Sequence, residues 1–302
     1  MTRPLVIPMP DNEAMATALA VKLGGGIGAV ETRQFPDSET YLRVVADVGG
    51  RAVIIVCTLD RPDEKFMRLA FAVATVRELG AASIGLVAPY LAYMRQDQRF
   101  KDGEAVTSKE FARLISSKFD WLVTVDPHLH RYAALDEIYT IPSRVVHAAP
   151  VLSNWIRLNV SRPLVIGPDS ESEQWVSTVA SLADCPHVVL SKRRFGDRDV
   201  KISVPDLSAW RDRTPILVDD IASSARTMIE ACKQLIASGV TPPLCVAIHA
   251  LFSAGSYQSL SEVAAGIITT NAVRHPTNQI DVSGLIATEI AALTGVQLAT
   301  SA

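Results

Sequence analysis

Short apolar runs rich in β-branched residues alternate with longer amphipathic runs along almost the whole 302-residue chain. Polar residues scarcely interrupt the short runs, which is typical of strands buried on both faces of a parallel sheet. Such strands are predicted at Ala52–Leu59, Ser83–Leu91, Trp121–Asp126, Pro163–Asp169, His187–Lys192, Ile216–Asp220, Leu244–Phe252 and Gly266–Asn271. Helices are predicted at Asp11–Leu23, Lys65–Leu79, Lys109–Lys118, Val151–Asn159, Glu171–Leu182, Met228–Ala237 and Leu285–Leu293. The repeated β-α-β order predicts an α/β fold with mostly parallel sheets flanked by helices.

The length and the placement of prolines predict two domains. A typical domain has about 150 residues, and Pro142 and Pro150 mark a boundary near the middle of the chain. We therefore predict an N-terminal domain at 1–146 and a C-terminal domain at 147–302. In such folds a ligand binds at the carboxyl ends of the strands.

Composition and charge exclude several classes of protein. The net charge of -3 argues against a strongly basic nucleic-acid-binding protein. No apolar run reaches the roughly 18 residues of a membrane span, and the N-terminus lacks the apolar segment of a secretory signal. The four cysteines are scattered, which argues against a zinc site or a disulfide framework and favours the cytoplasm.

A predicted strand ends in two adjacent carboxylates, Asp219 and Asp220, before a hydroxyl-rich loop and a helix. Backbone N–H groups and the dipole at a helix start favour a phosphate, and the loop Ser223–Thr227 adds hydroxyl donors. The carboxylates could accept hydrogen bonds from sugar hydroxyls, directly or through a metal, which together favours a sugar phosphate. An ordinary strand end with a serine N-cap explains this segment alone equally well.

Two further carboxylates end predicted strands. Asp126 and His128 together could hold Mg²⁺ beside a polyphosphate, although the spacing of His128 and His130 equally suggests zinc or a surface turn. Asp169 ends another strand, where a helix N-cap is the competing interpretation. The histidines without metal-like spacing are assigned structural roles: His147, His187 and His275.

Three more segments combine groups that suit a nucleotide. Three cations at 192–194 precede a Gly-Asp turn and the strand-like Asp199–Val204, which predicts a hairpin flap that closes over phosphates; a solvated hairpin tip is the alternative. Tyr93–Lys101 mixes cations, amides and aromatic rings. Phe35–Glu39 offers a stacking ring and acidic acceptors, although a simple turn is the better interpretation of that segment alone.

The order and spacing of these segments resemble the ribose-phosphate pyrophosphokinase family, also called phosphoribosyl pyrophosphate synthetases, from Phe35 to about Glu289. Phe35–Glu39 is similar to the family's F-x-D-G-E segment, and Arg95-Gln96-Asp97 is identical to its R-Q-D motif. The other similar segments are Asp126–His128 (D-L-H), Lys192–Arg194 (the catalytic flexible loop) and Asp219–Thr227 (D-D-x-x-D-T-G-G-T).

That resemblance implies a fold and a reaction. Both domains would have the phosphoribosyltransferase-type α/β fold. The anomeric hydroxyl of ribose 5-phosphate would attack the β-phosphorus of ATP, giving phosphoribosyl pyrophosphate and AMP. The resemblance also implies Mg²⁺ as cofactor and a homo-oligomer whose ATP site is shared between subunits, with no nucleic-acid or membrane partner.

The resemblance also implies a role for each matching residue. ATP would be bound by Phe35, Asp37, Ser38, Glu39, Arg95, Gln96 and Asp97. Mg²⁺ would be held by His128 and Asp169, with support from Asp126. Lys192 would stabilise the transition state, assisted by Arg194. The ribose and its 5-phosphate would be bound by Asp219, Asp220, Ser223, Ser224, Ala225, Arg226 and Thr227.

The phosphate loop departs from the family pattern. Ser223 stands where the family has Asp, and Ala225 and Arg226 stand where it has Gly, the residue that allows positive φ and close approach of the backbone. Arg226 could fill the phosphate pocket or add a bidentate contact. Three alternatives therefore stay open: a non-catalytic regulatory relative, a phosphoribosyltransferase, and a pyrophosphokinase for a modified pentose phosphate.

Overall fold

The first of two parallel sheets is built from the N-terminal half of the chain. The computed structural model describes residues 3–195 and 199–299, and gives the backbone alone for Glu171, 192–195 and 199–202. The strand order is β2 (Gly26–Ile27), β1 (Leu5–Pro8), β5 (Ala52–Val56), β6 (Ser83–Ala88), β7 (Trp121–Val125) and β8 (Ser143–Val146). Every neighbouring pair runs parallel. The helices of this unit are α1 (Glu13–Lys22), α2 (Pro62–Glu78), α3 (Thr107–Ser116) and α8 (Ser283–Thr294).

The second sheet has the same number of strands and is also parallel throughout. Its order is β10 (His187–Val189), β9 (Pro163–Gly167), β13 (Thr214–Ala222), β14 (Leu244–Ala250), β15 (Gly266–Thr270) and β16 (Asn278–Ile280). Its helices are α4 (Ala149–Asn159), α5 (Glu173–Leu182), α6 (Arg226–Ala237) and α7 (Ser256–Ser261). Its core contains strand and helix residues with little or no exposure, among them Ile166, Leu217, Met228 and Leu235.

Each unit also carries an antiparallel hairpin outside its parallel sheet. In the first unit β3 (Ala29–Gln34) pairs with β4 (Thr40–Val45). In the second, β11 (Ser191–Phe195) pairs with β12 (Asp199–Ser203). The connecting residues Gly196–Arg198 lie outside the described residues.

The chain divides into two compact units, each with its own parallel sheet. One comprises Met1–His147 with Ser283–Ala302, and the other Ala148–Val282. The C-terminal segment belongs to the first unit because α8 packs against α1, β7 and β8. The sequence pattern of α8 indicates that one face of the helix is buried, but it does not indicate which domain buries that face.

The predicted fold class is confirmed, and the differences concern short strands and the short helix α7, which the sequence analysis did not predict. Each predicted helix is present, and each predicted strand is present within a few residues, although the run at His187–Lys192 is divided between β10 and β11. The sequence analysis missed six strands: β1, β2, β3, β4, β8 and β16. Most of these have two to four residues, too few to establish an apolar pattern, and the strands β3 and β4 contain no buried residue.

Among residues 3–195 and 199–299, no helix has both the length and the apolar character that crossing a membrane requires.

Gly85 provides a test of the packing in the first sheet. It pairs with Trp121 on the neighbouring strand, and a Cβ added to it would lie 2.0 Å from Cε2 and Cζ2 of the indole. We expect Gly85→Ala to lower the free energy of unfolding by about 1–3 kcal/mol through overpacking, measured by urea denaturation. In a Trp121→Phe background the same change should cost less, because the smaller ring leaves room. An equal cost in both backgrounds would contradict this account.

Candidate functional site

Two carboxylates and a phosphate-type loop lie at the carboxyl end of β13. Asp219 and Asp220 are half-buried on this strand, and the Asp220 N–H donates to Asp219 Oδ1 at 3.0 Å. Burial raises the pKa of Asp219 well above its ordinary value, and repulsion from Asp220 and Asp169 adds to the effect. Three acidic side chains therefore interact here, an arrangement that hydrogen-bond donors or a cation would stabilise.

The loop after β13 presents the start of α6 through a left-handed residue. Ala225, with φ 54° and ψ 11°, precedes the first helical residue, Arg226. The backbone thus adopts at Ala225 the conformation that glycine adopts most easily. Two donors from the segment after β14 hold this loop. The Ser253 N–H and the Ser256 hydroxyl donate to the carbonyl of Ser223 at 3.2 and 2.8 Å. The loop has a defined shape with the free N–H groups of a helix start beside it.

Arg226 occupies a position where the helix dipole disfavours a cation. The first turn of α6 holds this exposed arginine and no carboxylate, whereas helix N-termini generally favour negative charge. An anion bound at the helix start would interact favourably with both the arginine and the N–H groups. The arrangement suits a phosphate group.

Asp169 lies between β9, the strand next to β13, and a 3₁₀ turn at Ser170–Ser172. The N-cap residue of α5 is Ser172, three positions further on, and its N–H and hydroxyl both donate to the Asp169 carbonyl. The Ser172 hydroxyl lies close to the end of β9, since a Cβ added to Gly167 would be 2.6 Å from Ser172 Oγ. Asp169 is not the N-cap residue of α5, although it directly precedes the 3₁₀ turn. Its electrostatic effect on Asp219 places its charge within the carboxylate group of this unit.

In the first unit, the predicted D-P-H segment lies on a strained turn after β7. Asp126 and His128 have positive φ angles of 32° and 55°, which non-glycine residues rarely adopt and which are common at functional sites. The ring of His128 stacks edge-on with that of His130, with centroids 4.1 Å apart.

His147 is a neighbour of this turn that the sequence analysis missed. Its Nδ1 lies 3.0 Å from Oδ1 of Asp126, because the register pairs Val125 with Val146 and places the next residues side by side. The assignment of a purely structural role to His147 rested on sequence spacing. The unpredicted strand β8 ends just before His147, and a prediction of that strand could have identified the contact.

The R-Q-D motif lies in a loop between β6 and α3, and its residues have different surroundings. Arg95 is exposed and Gln96 is half-buried. Gln96 is held by the start of α3, where the Thr107 hydroxyl donates to Gln96 Oε1 at 3.2 Å and the Ser108 N–H to its carbonyl at 3.3 Å. Asp97 is buried and accepts a hydrogen bond from Arg131 at 2.7 Å.

The segment Phe35–Glu39 forms the turn of the hairpin β3–β4. The Phe35 N–H donates to the Glu39 carbonyl at 2.8 Å, and Ser38 has a φ of 72°. Arg33, which the sequence analysis did not select, places its guanidinium 4.7 Å from the Phe35 ring centroid and 4.5 Å from that of Tyr41. The predicted stacking surface thus already carries a cation.

The predicted cationic hairpin is present in the backbone. The ladder between β11 and β12 runs from Ser191 paired with Ser203 to Phe195 paired with Asp199. The side chains of Lys192 and Arg194 lie outside the part of the chain whose side chains the structure describes, so their roles stay predictions.

Within the described residues, no group of three or more His, Cys, Asp and Glu side chains is arranged to hold a metal ion by itself. Zinc in structural sites requires such a group, whereas Mg²⁺ is commonly held by one or two carboxylates together with substrate phosphates and water. In the first unit Asp126 and His128 fit the second pattern. In the second unit the carboxylates of Asp169, Asp219 and Asp220 fit it as well.

Two family models match the chain. The model for the N-terminal domain of ribose phosphate pyrophosphokinase matches residues 5–118, and the model for the phosphoribosyl transferase domain matches residues 134–279. The crystal structure of phosphoribosylpyrophosphate synthetase from Mycobacterium smegmatis has the same fold, with a TM-score of 0.83 at 22% identity over 97% of this chain and 99% of that one. The chain therefore has two phosphoribosyltransferase-type domains.

Curated relatives establish the family. The chain is 30% identical to the ribose-phosphate pyrophosphokinase of Methanopyrus kandleri over 96% of this chain and 100% of that protein. It is 32% identical to the enzyme of the same name from Sulfolobus acidocaldarius, over 86% of this chain and 91% of that protein. This protein belongs to the ribose-phosphate pyrophosphokinase family.

The contact of His147 with Asp126 gives a pH-dependent prediction. The hydrogen bond to Asp126 raises the pKa of His147, with a smaller opposing effect from burial. Because the folded-state pKa is the higher one, the contribution to stability is full below the unfolded-state value of about 6.5. It is lost as the pH rises through the raised pKa.

The test compares His147→Asn with the unaltered protein by thermal melting in the presence of a chelator. We expect the variant to melt at a lower temperature near about pH 5.5, and the difference to shrink toward about pH 9. A difference of the same size at both ends of this range would contradict the assignment.

Proposed function

We propose that this protein transfers the β,γ-diphosphoryl group of ATP to the C1 hydroxyl of ribose 5-phosphate, giving phosphoribosyl pyrophosphate and AMP. The observation that carries the proposal is the end of β13 in a member of this family: two carboxylates, then a left-handed loop residue, then an exposed arginine at a helix start. Carboxylates accept hydrogen bonds from sugar hydroxyls, and the loop and helix start bind a phosphate. One end of one strand thus offers both halves of a pentose phosphate site.

In this proposal Asp219 and Asp220 bind the ribose hydroxyls. The raised pKa of Asp219 follows from its burial beside two other acids, and hydroxyl donors or a cation would lower it again. The 5-phosphate lies against Ser223–Thr227, where backbone N–H groups, hydroxyls and Arg226 supply donors.

ATP is bound in the first domain by the exposed Arg95, by Gln96 and by the hairpin turn with Phe35, Asp37, Ser38 and Glu39. Phe35 is 39% exposed and offers a ring face for the base. The proximity of Arg33 to that ring favours a negatively charged ligand there. The sharing of the ATP site between subunits of a homo-oligomer is part of the same proposal.

Mg²⁺ is the proposed cofactor. His128, with Asp126 beside it, is the candidate ligand of the first domain, and Asp169 is that of the second. When bound, the ion would neutralise charge on the transferring phosphates. Asp126 holds a hydrogen bond with His147, which suits the supporting role of orienting the turn that carries His128.

The reaction requires alignment and charge neutralisation more than covalent chemistry. The oxygen on C1 forms a bond to the β-phosphorus as the bond from that phosphorus to the α-phosphate oxygen breaks, and the hydroxyl proton passes to solvent. Lys192 and Arg194, on the hairpin strand β11, are the proposed cations that stabilise the charge of the transition state. We also propose a cytoplasmic location, since all four cysteine thiols are free and a reducing compartment maintains free thiols.

Phosphorus NMR of the purified protein with ATP, ribose 5-phosphate and Mg²⁺ tests the reaction. We expect a C1-linked diphosphate to appear together with AMP, without ADP, because the diphosphoryl group moves as a unit. ADP as the product would contradict the proposal. If no product forms although calorimetry shows that ATP binds, a panel of pentose phosphates then separates an altered acceptor from a non-catalytic relative.

Substitution of Arg226 tests the proposed location of the phosphate site. We expect Arg226→Gly to raise the KM for ribose 5-phosphate by about tenfold through loss of a charged contact, with little change in the KM for ATP, measured by steady-state kinetics. Lys233→Ala is the matched control, since Lys233 is an exposed cation on the same helix and should leave both constants unchanged. An effect on ATP alone would show that the phosphate loop is misplaced.

A further inference from the structure

A buried ion pair joins two loops of the first domain that sequence analysis treats as separate. The Asp97 side chain is only 4% exposed, and its Oδ1 accepts a hydrogen bond from Arg131 Nη1 at 2.7 Å. The Arg131 side chain is 47% exposed, so the pair has one end in the interior and one at the surface. A carboxylate removed from water is stable only when it is paired and hydrogen-bonded. The position of Arg131 therefore depends on Asp97, and that of Asp97 on Arg131.

Further contacts connect the same two loops. The Tyr132 hydroxyl donates to the Asp97 carbonyl at 3.1 Å and lies 3.2 Å from the hydroxyl of Ser108 on α3. The guanidinium of Arg131 lies 5.4 Å from the ring centroid of Phe100, within the range of a cation–π interaction. The side chain and the backbone of Asp97 are thus both held by the segment Arg131–Tyr132.

The two loops carry different candidate ligands. Asp97 directly follows Gln96, which is a proposed ATP ligand and is held from its other side by the start of α3. Arg131 follows His128 by three residues, and the turn at His128 has the positive φ that requires support from its surroundings. The ion pair therefore lies between the proposed nucleotide loop and the proposed metal loop of this domain.

Burial and pairing also argue against direct contact between Asp97 and ATP. A carboxylate facing the triphosphate would repel it, and Asp97 would have to give up Arg131 to reach a hydroxyl or amino group of the nucleotide. Arg131, in contrast, has an exposed part, and its other donors can face solvent or a ligand.

We propose that Asp97 is a positioning residue and not an ATP ligand. Its ion pair with Arg131 locks the loop of Arg95 and Gln96 onto the loop of His128, so that ATP binding and Mg²⁺ binding in this domain depend on each other. The inference rests on the proposed function for the roles of the two loops, but the lock itself is a property of the protein without ligands.

Steady-state kinetics of Arg131→Ala, Asp97→Asn and the double variant test this inference. Each single change should raise both the KM for ATP and the Mg²⁺ concentration at half-maximal rate by tenfold or more, while the KM for ribose 5-phosphate changes less than twofold. The double variant should be no worse than the worse single variant, because both changes remove one interaction. Arg131→Lys should recover part of the loss, since it keeps the charge but not the planar geometry.

A matched control is Arg113→Ala, which breaks the exposed ion pair with Glu110 on α3 and should leave these constants unchanged. If Asp97→Asn weakens ATP binding while Arg131→Ala does not, Asp97 contacts ATP directly and the inference fails. Effects that add in the double variant would overturn it as well. Arg131→Lys keeps the test usable if Arg131→Ala does not fold.

Amide hydrogen exchange of the ligand-free protein separates this inference from the proposed function. Either Asp97→Asn or Arg131→Ala should speed exchange in both 95–99 and 128–132, because the lock joins the two loops. If exchange rises only in the loop that carries the substitution, the lock does not exist, whether or not the protein makes phosphoribosyl pyrophosphate. If the unaltered protein makes no product but both loops respond together, the proposed function fails and the lock stands.

Discussion

The backbone hydrogen bonds between parallel strands are the interaction on which the proposed metal and sugar-phosphate sites of this protein depend. Because the strands of each sheet run in one direction, their carboxyl ends meet along one edge, and the loops with reactive side chains begin there. The pairing of β9 with β13 puts Asp169, which follows β9, next to the strand that carries Asp219. The pairing of β7 with β8 does the same for Asp126 and His147. A slip of one residue in either register would separate these groups.

The sheets also support backbone conformations that would otherwise be costly. Asp126, His128 and Ala225 all have positive φ, and each such residue costs on the order of 1–3 kcal/mol. All three lie in turns close to the end of a buried strand, where the surrounding structure determines the path of the chain. These strained turns carry residues that we propose as metal and phosphate ligands.

Electrostatics distinguishes the two domains. In the second, burial and neighbouring acidic side chains raise the pKa of Asp219, while Arg226 places a cation at a helix start. In the first, the buried charge of Asp97 is already balanced by Arg131. Under our proposals, an acidic residue in a family motif serves either as a ligand, as Asp219 does, or as a support, as Asp97 does, and its burial and partners distinguish the two.

The sequence by itself determined the α/β class, the order of the long elements and the segments that we propose to carry chemistry. These features depend on local patterns: apolar runs, helical periodicity, and polar residues that directly follow a strand. Tertiary structure alone decided the return of α8 to the first unit, the contact of His147 with Asp126 and the ion pair of Asp97 with Arg131. Each of these joins segments that are 21 or more residues apart. Periodicity records which residues are buried along the chain, but the partners that bury them are set by strand register and packing.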